Sequence, residues 1–222
     1  MCGRYTLVCI DDLGRRFRLV DPTLGFRSRF NIAPGQIVPV IIRRGAHELT
    51  AMQWGLSCGT GKKQSPVSLI NARSETLAER PYFRRLLEDR RCLVPATGFY
   101  EWAKKGPHRI PFYFRLRGGP FFAFAGLYDS VTDSSGGVHL ACTIITTAAN
   151  SLVAPVHDRM PVLLSPEFES RWLSGEMPSL SELTTILSPR SSTEMETYPV
   201  STRVNNAGLD DEELIRPLNT LT

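Results

Sequence analysis

The stretch IPFYFRLRGGPFFAFAGLYDSVTDSSGGVHLACTIITT, residues 110–147, contains three runs with the composition of β-strands. The runs 110–117, 121–129 and 138–147 are rich in aromatic and β-branched residues, which are enriched in strands. Glycine, proline and serine lie between them, and connections this short favour antiparallel pairing. The stretch therefore predicts three strands of an antiparallel sheet, with TDSSGG as a hairpin connection.

More strand-like runs lie upstream of this stretch. Gly45 separates the run 37–44 from the run 48–54, which predicts a hairpin, and the runs 91–95 and 98–102 follow each other closely. Helical patterns are fewer, and they begin with acidic residues, proline or serine, which favour a helix start. They cover residues 11–20, 81–91, 165–175 and 179–188.

These elements together predict an α+β fold. We expect a mostly antiparallel sheet that curls towards a barrel, with flanking helices. The length of 222 residues fits one domain of generous size, so we expect a single domain over residues 1–222.

The composition is that of an ordinary soluble protein, with 42% hydrophobic and 22% charged residues. No apolar run reaches the roughly 18 residues of a membrane helix, and the N-terminus lacks a signal-peptide layout. We therefore expect a cytoplasmic protein that does not enter a membrane. The net charge of +4 permits a phosphate-bearing partner without requiring one.

The cysteines and histidines do not form a metal-binding or disulfide pattern. There are five cysteines at irregular spacing, no C-x-x-C pair, and four histidines without ligand spacing to them. We expect reduced thiols, no metal and no cofactor.

Four segments place polar groups where a strand or turn would direct them inward, and they contain Cys2, Asn71, Glu101 and His157. Each residue also has an ordinary structural interpretation. Cys2 could be a small hydrophobe, Asn71 could cap a helix, Glu101 could point to solvent, and His157 could be a hydrogen-bonded turn residue. Two arginines of these segments could be internal ion-pair partners, namely Arg73 and Arg159.

Removal of Met1 would give Cys2 a free α-amine beside its thiol. The reference pKa is roughly 7.7–8 for the amine and about 8.5 for the thiol, so both would be partly deprotonated near neutral pH. A 1,2-aminothiol reacts characteristically with an aldehyde: the amine forms a Schiff base, and the thiol then closes a thiazolidine ring. The steps need proton transfers, for which Glu101 and His157 are the candidates.

Several motifs occur together in one order: MCGRY (1–5), RFNIAPGQ (29–36), WG (54–55), INARSET (70–76), GFYEW (98–102), HDRMPV (157–162) and VSTRVNN (200–206). In this order the chain resembles the SRAP family, named for the SOS-response-associated peptidase and better described as abasic-site processing proteins. The resemblance extends over nearly the whole chain and implies the SRAP fold.

The resemblance also implies a function. Family members bind single-stranded DNA carrying an abasic site and trap the ring-opened sugar aldehyde with the N-terminal cysteine. An AP-lyase activity is attributed to some members, and the peptidase label refers to exposing the cysteine. We therefore expect an enzyme of DNA repair that acts as a monomer on single-stranded DNA with abasic sites.

The resemblance assigns roles to individual residues. Cys2 matches the covalent nucleophile, Asn71 the residue that orients it, Glu101 the proton-transfer carboxylate, and His157 the residue that helps to open and release the sugar. Five further residues match DNA-facing positions: Arg4, Arg73 and Arg159 at the backbone, with Asn31 and Pro34 in the loop beside them.

One segment departs from the family pattern. After Trp54 and Gly55 the family often has a proline and tryptophans that wedge against bases, but this chain has Lys62 and Lys63 in the loop 57–66. Stacking on an aromatic ring is worth about 1–3 kcal/mol per base. We therefore expect DNA to be held largely through its phosphates.

Two other functions fit parts of the sequence. Class II glutamine amidotransferases also begin Met-Cys-Gly, but they usually carry an Asn-Gly pair, which this sequence lacks. A DNA-binding module with an inert cysteine would need only the basic bias of the chain.

Overall fold

The computed structural model describes residues 2–21, 25–57, 68–132 and 136–218. The strands are β1 (Tyr5–Leu7), β2 (Arg29–Ile32), β3 (Ile37–Arg44), β4 (Ala46–Trp54), β5 (Leu56–Ser57), β6 (Ser68–Leu69), β7 (Asn71–Arg73), β8 (Arg91–Ala96), β9 (Gly98–Lys105), β10 (His108–Leu116), β11 (Phe122–Thr132), β12 (Val138–Ala148), β13 (Arg159–Pro161), β14 (Leu163–Leu164) and β15 (Met195–Pro199). The α-helices are α1 (Leu13–Phe17), α2 (Pro81–Asp89), α3 (Pro166–Trp172) and α4 (Leu180–Ile186).

The larger sheet closes into a barrel. Its strands follow the order β12, β4, β3, β8 and β11, and β11 pairs again with β12. The predicted hairpins are present, since β3 pairs with β4 around Gly45 and β11 pairs with β12 as far as Thr132 and Val138. The prediction of an α+β fold with a curled, mostly antiparallel sheet is confirmed.

Strand β12 is an exception to antiparallel pairing. It pairs in parallel with β4 and with β7, both far upstream in the chain. Tight connections could not predict these pairs, because parallel neighbours need long crossovers. At the same end β12 pairs antiparallel with β13. Strand β12 therefore holds β7 and β13 close together.

A second sheet of five strands lies beside the barrel, in the order β15, β10, β9, β1 and β2. Its side chains alternate between two faces, as strand geometry requires. On one face Phe99 and Phe114 stack with ring centroids 5.1 Å apart and join the main core. On the other face Tyr100 and Tyr113 pack against apolar residues of the C-terminal segment, including Val204.

The helices begin close to their predicted starts. Helices α2 and α3 carry proline in their first turn, and Ser179 and Glu182 form a capping box at α4. The helix predicted over 11–20 is a 3₁₀ turn followed by α1, which ends at Arg18 with a left-handed φ of 52°. None of the helices in the described residues is long and apolar enough to cross a membrane.

The structure also corrects one alternative for Asn71. The segment that follows it is not a helix that Asn71 could cap, because Asn71 begins β7 and only a 3₁₀ turn over Ser74–Thr76 follows. Hydrogen bonding of β7 to β12 outweighs the local helical pattern. The loop with Lys62 and Lys63, and Met1, lie outside the described residues.

Candidate functional site

The four predicted catalytic residues come from both sheets. Cys2 precedes β1, and Glu101 lies in β9, in the five-stranded sheet. Asn71 begins β7, and His157 lies in the turn before β13; both of these strands pair with β12 of the barrel. The candidate site is therefore built across the junction of the two sheets.

Asn71 joins the two sides directly. Its side-chain Nδ2 donates a hydrogen bond of 2.8 Å to the backbone carbonyl of Cys2. Its Oδ1 is buried and has no hydrogen-bond partner among the described residues. A buried amide oxygen without a donor is costly, so this acceptor is suited to an N–H group at the chain terminus or on a substrate.

Cys2 is completely buried, and its Sγ lies 3.9 Å from the carbonyl oxygen of Arg4. Burial raises the pKa of the thiol strongly, and the charge of Glu101 raises it further. The expectation that this thiol is partly deprotonated near neutral pH is therefore wrong for the structure as it stands. The thiol needs a nearby base to become a nucleophile.

Glu101 is 2% exposed. Burial raises its pKa to about 7, and the negative charge of Asp158 acts in the same direction. A carboxyl group with this pKa can both take up and release a proton near neutral pH, as a proton-transfer residue must. The alternative that Glu101 points to solvent is wrong.

The imidazole of His157 is partly buried, and Nδ1 has two neighbours. The backbone N–H of Arg159 donates to Nδ1 over 3.0 Å, and Oδ1 of Asp158 lies 2.9 Å from the same nitrogen. Burial lowers the pKa of His157, which favours the neutral ring. In the neutral ring, Nδ1 accepts the hydrogen bond from the backbone N–H of Arg159, so the ring proton is on Nε2. In the protonated ring, Nδ1–H would donate to Asp158 instead.

Two residues predicted to face DNA have internal partners instead. Nη1 of Arg4 donates to Oδ1 of Asn31 over 2.8 Å and to the carbonyl of Val204 over 2.7 Å. Asn31 is fully buried, and its Nδ2 donates to the carbonyls of Asn206 and Leu209 at 3.0 and 2.8 Å. These contacts fasten the C-terminal segment to the strand beside Cys2; a contact of Arg4 or Asn31 with DNA stays a prediction.

The other three DNA-facing candidates differ in exposure. Arg73 and Pro34 are exposed. Arg159 forms a bidentate ion pair with Glu75 and also donates to the carbonyl of Thr146 over 2.7 Å. Its guanidinium is therefore the ion-pair partner that the sequence allowed as an alternative, and its contact with DNA stays a prediction.

Comparison with known proteins agrees with this architecture. The family model described as SOS response associated peptidase matches residues 1–207. The chain belongs to the SRAP family. The abasic site processing protein YoqW of Bacillus subtilis is 39% identical over 97% of this chain and 99% of its own length. The abasic site processing protein YedK of Escherichia coli is 32% identical over 98% of this chain and 100% of its own length.

Solved structures share the fold of this SRAP chain. The crystal structure of a protein from Bacteroides thetaiotaomicron aligns with a TM-score of 0.86 at 25% identity, over 98% of this chain and the whole of that one. Membership of the SRAP family separates the chain from the glutamine amidotransferases, which also begin Met-Cys-Gly.

One polar residue of this SRAP chain was missed by sequence reasoning. Asp210 accepts from Arg29 Nε and from the backbone N–H groups of Phe30 and Asn31, the latter two at 2.6 and 3.1 Å. It lies beyond the end of the family match at residue 207. No local pattern marks it, because its partners are about 180 residues away in the chain.

Proposed function

We propose that this chain captures abasic sites in single-stranded DNA as a covalent thiazolidine on Cys2, after Met1 has been removed. The observation that carries the proposal is the hydrogen bond from Asn71 to Cys2 beside a buried carboxyl group, Glu101, with a pKa of about 7. Membership of the SRAP family and the names of its relatives support the same function.

The reaction balances as the condensation of an aldehyde with an aminothiol. The α-amine of Cys2 adds to C1′ of the open sugar, and loss of one water gives the Schiff base. The thiol sulfur then bonds to C1′, the π electrons of the C=N bond move to nitrogen, and the thiol proton ends on that nitrogen. No oxidant or reductant is needed.

Glu101 serves the proton transfers of this sequence. As a carboxylate it takes a proton from the attacking amine, and as a carboxylic acid it gives one to the departing hydroxyl. It then acts as the base that the buried thiol requires. Asn71 holds the Cys2 backbone through Nδ2, and its unpartnered Oδ1 accepts from the amine.

His157 assists the opening of the sugar ring. The closed abasic sugar is a hemiacetal, and the aldehyde appears when O1′ loses a proton and the ring oxygen gains one. In the protonated ring, Nδ1–H donates to Asp158 and Nε2 gives its proton to the ring oxygen, which leaves the imidazole neutral, while water takes the proton from the O1′ hydroxyl.

The Schiff base also gives access to lyase chemistry. Loss of a proton from C2′ followed by departure of the 3′ phosphate would cleave the strand, whereas closure of the thiazolidine removes the iminium that this elimination needs. Capture and strand cleavage thus compete for one intermediate, the Schiff base.

The release of Met1, which exposes the α-amine of Cys2, accounts for the peptidase label of the family.

Intact mass spectrometry tests the proposal. Wild-type protein lacking Met1, mixed with an oligonucleotide containing one abasic site, should give an adduct equal to the sum of the two masses less one water. Cys2→Ala should bind the oligonucleotide without forming the thiazolidine. A tetrahydrofuran analogue, which lacks the aldehyde, should bind both proteins and form no adduct.

The same experiment separates the alternatives. If the wild type binds abasic DNA and forms no adduct, the chain is a DNA-binding module and the proposal is wrong. Full retention of methionine in protein that does form the adduct would contradict the role assigned to the α-amine.

A further inference from the structure

Many basic side chains in this protein are already engaged internally. Arg4 donates to Asn31 and Val204, and Arg159 is held by Glu75. Arg91 is almost completely buried and donates only to backbone carbonyls among the described residues. Net charge alone therefore does not indicate where an anionic strand would lie.

The tip of the β9–β10 hairpin, defined here as residues 104–109, is different. It contains Lys104, Lys105, His108 and Arg109, all exposed. In the part of the chain that the structure describes, neither lysine nor Arg109 has an ion-pair partner within 4 Å. The sequence also has no acidic residue from 102 to 128, so the positive charge of the tip is not compensated locally.

The hairpin tip is an ordered structure that presents these charges. Lys105 pairs with His108 across the strands, and Lys104 pairs with Arg109. Gly106 makes the turn with a left-handed φ of 61°. Cations on a hydrogen-bonded hairpin are positioned before a ligand binds, which lowers the entropic cost of binding.

The hairpin tip continues directly from the candidate site. Glu101 lies four residues before Lys105 on β9, which is about 13 Å along a strand. That distance corresponds to only a few nucleotides of a DNA strand. Burial lowers the pKa of His157, and the positive charge of Arg109 adds to this effect, so the field of the tip reaches the site.

We propose that the tip of the β9–β10 hairpin binds backbone phosphates of the DNA strand that flanks the captured abasic site. This inference rests on the proposed function. The hairpin tip would then supply the part of the DNA affinity that does not depend on base sequence, a few nucleotides away from Cys2. Lysine recognises phosphate as a point charge, so this surface should not discriminate between flanking bases.

The chain offers a matched control hairpin. Strands β3 and β4 meet at Gly45, where Arg43 and Arg44 form another exposed basic tip. Strand β4 has nine residues and rises about 26 Å from this tip to Trp54. The indole of Trp54 donates to the carbonyl of Ile70, the residue before Asn71. Removing two charges at this tip changes the net charge equally, far from the candidate site.

The test compares Lys104→Gln/Lys105→Gln with Arg43→Gln/Arg44→Gln, both in a Cys2→Ala background. Non-covalent affinity for an abasic single strand of about twenty nucleotides is measured from low to high salt. Each lost phosphate contact should make the log–log slope shallower by about 0.7. We expect a change of about 1.4 for the β9–β10 variant and none for the control.

A second measurement distinguishes failure of the hairpin proposal from misfolding of the variant and from failure of the proposed function. With Cys2 restored, the β9–β10 variant should capture an abasic trinucleotide at the wild-type rate, but a long strand more slowly at low concentration. If the β9–β10 variant and the control have the same slope, the hairpin proposal is wrong even though capture persists. If wild-type protein captures neither oligonucleotide, it is the proposed function that fails.

Discussion

The two sheets contribute equally to the candidate site, yet their strands are held in different ways. The barrel side supplies Asn71 at the start of β7 and His157 in the turn before β13, and both strands pair with β12. The five-stranded sheet supplies Cys2, which precedes β1, and Glu101, which lies in β9, and β1 is only three residues long. Strand pairing with β12 and the ion pair of Arg159 with Glu75 hold the barrel side, whereas polar contacts with the C-terminal segment hold the sheet side.

This difference predicts that a substitution where the barrel meets helices α2 and α3 and a substitution beside β1 will have different consequences. The largest loss of stability is expected for Arg91→Met. Arg91 lies at the start of β8, is 5% exposed, and donates to carbonyls at the ends of α2 and α3, including Trp172 at 2.6 Å and Glu88 at 3.1 Å. Leaving these acceptors without a donor should cost about 4 kcal/mol in the free energy of unfolding.

Urea unfolding checks this expectation, with Arg90→Met as the control. Arg90 is adjacent in sequence but partly exposed, and its ion pair with Asp89 is long at 3.7 Å. The control should lose less than about 1 kcal/mol. Because the hydrogen bonds of Arg91 go to the ends of α2 and α3 and to the segment after α3, the folded variant should capture an abasic strand at the wild-type rate. Slower capture would show that these helix ends and the site are coupled.

On the sheet side, Asn31→Ala should reduce both stability and capture. The substitution removes the acceptor of Arg4 and the donor to three backbone carbonyls of the C-terminal segment. We expect a loss of about 3 kcal/mol in the free energy of unfolding. Since Arg4 is two residues from Cys2, we also expect capture per folded molecule to fall by on the order of tenfold.

Asn205→Ala is the control for Asn31→Ala. Asn205 lies in the same C-terminal segment but makes an exposed hydrogen bond, from Trp102 over 2.8 Å. It should lose less than about 1 kcal/mol and keep its capture rate. Equal losses in the two variants would mean that the buried network has no special role in positioning Cys2.

The same contrast explains which features the sequence could predict. Residues 37–44 coincide with β3 because a continuous apolar run and a glycine turn are local signals. The single-residue signals at Cys2, Asn71, Glu101 and His157 were weak, and only their joint order in the SRAP motifs singled them out. The network of Asp210 with Asn31 was missed because it joins residues 179 apart, and no periodicity encodes such a pair.

The buried carboxyl group of the five-stranded sheet makes stability depend on pH. The folded-state pKa of Glu101, about 7, lies above the ordinary value of 4.5. The folded protein therefore binds more protons than the unfolded chain in this interval, and this group's contribution to stability falls as the pH rises from 4.5 through 7. Glutamine cannot ionise, so Glu101→Gln should gain stability relative to wild type over the same interval, by at most about 3 kcal/mol.

Thermal unfolding of wild type and Glu101→Gln at pH 4.5, 7 and 8.5 measures this difference. The variant should capture abasic DNA more slowly by on the order of 10²-fold, because it has lost the carboxyl group to which the proposed function assigns the proton transfers. A stability difference that does not change with pH would show that the carboxyl group is not desolvated as described.

The smallest effect is expected on the barrel side, at the ion pair of Glu75 with Arg159. The hydrogen bonds from Arg159 lower the pKa of Glu75, so its contribution to stability is present above the ordinary carboxyl value and is lost as the pH falls. The Glu75 side chain is 49% exposed, and solvent screening should limit the loss in Glu75→Gln to less than about 1 kcal/mol. Glu79→Gln, a nearby exposed glutamate, removes the same charge as a control.

DNA binding by Glu75→Gln then decides whether Arg159 acts as more than an internal partner. Its guanidinium would keep the hydrogen bond to the carbonyl of Thr146 but lose its counter-ion. If Arg159 faces the strand, the log–log salt slope for abasic DNA should become steeper by up to about 0.7, one phosphate contact, in Glu75→Gln and not in Glu79→Gln. Identical slopes in the two variants would confine Arg159 to holding the turn that carries His157, and would leave Arg73 and the hairpin tip as the phosphate-binding groups.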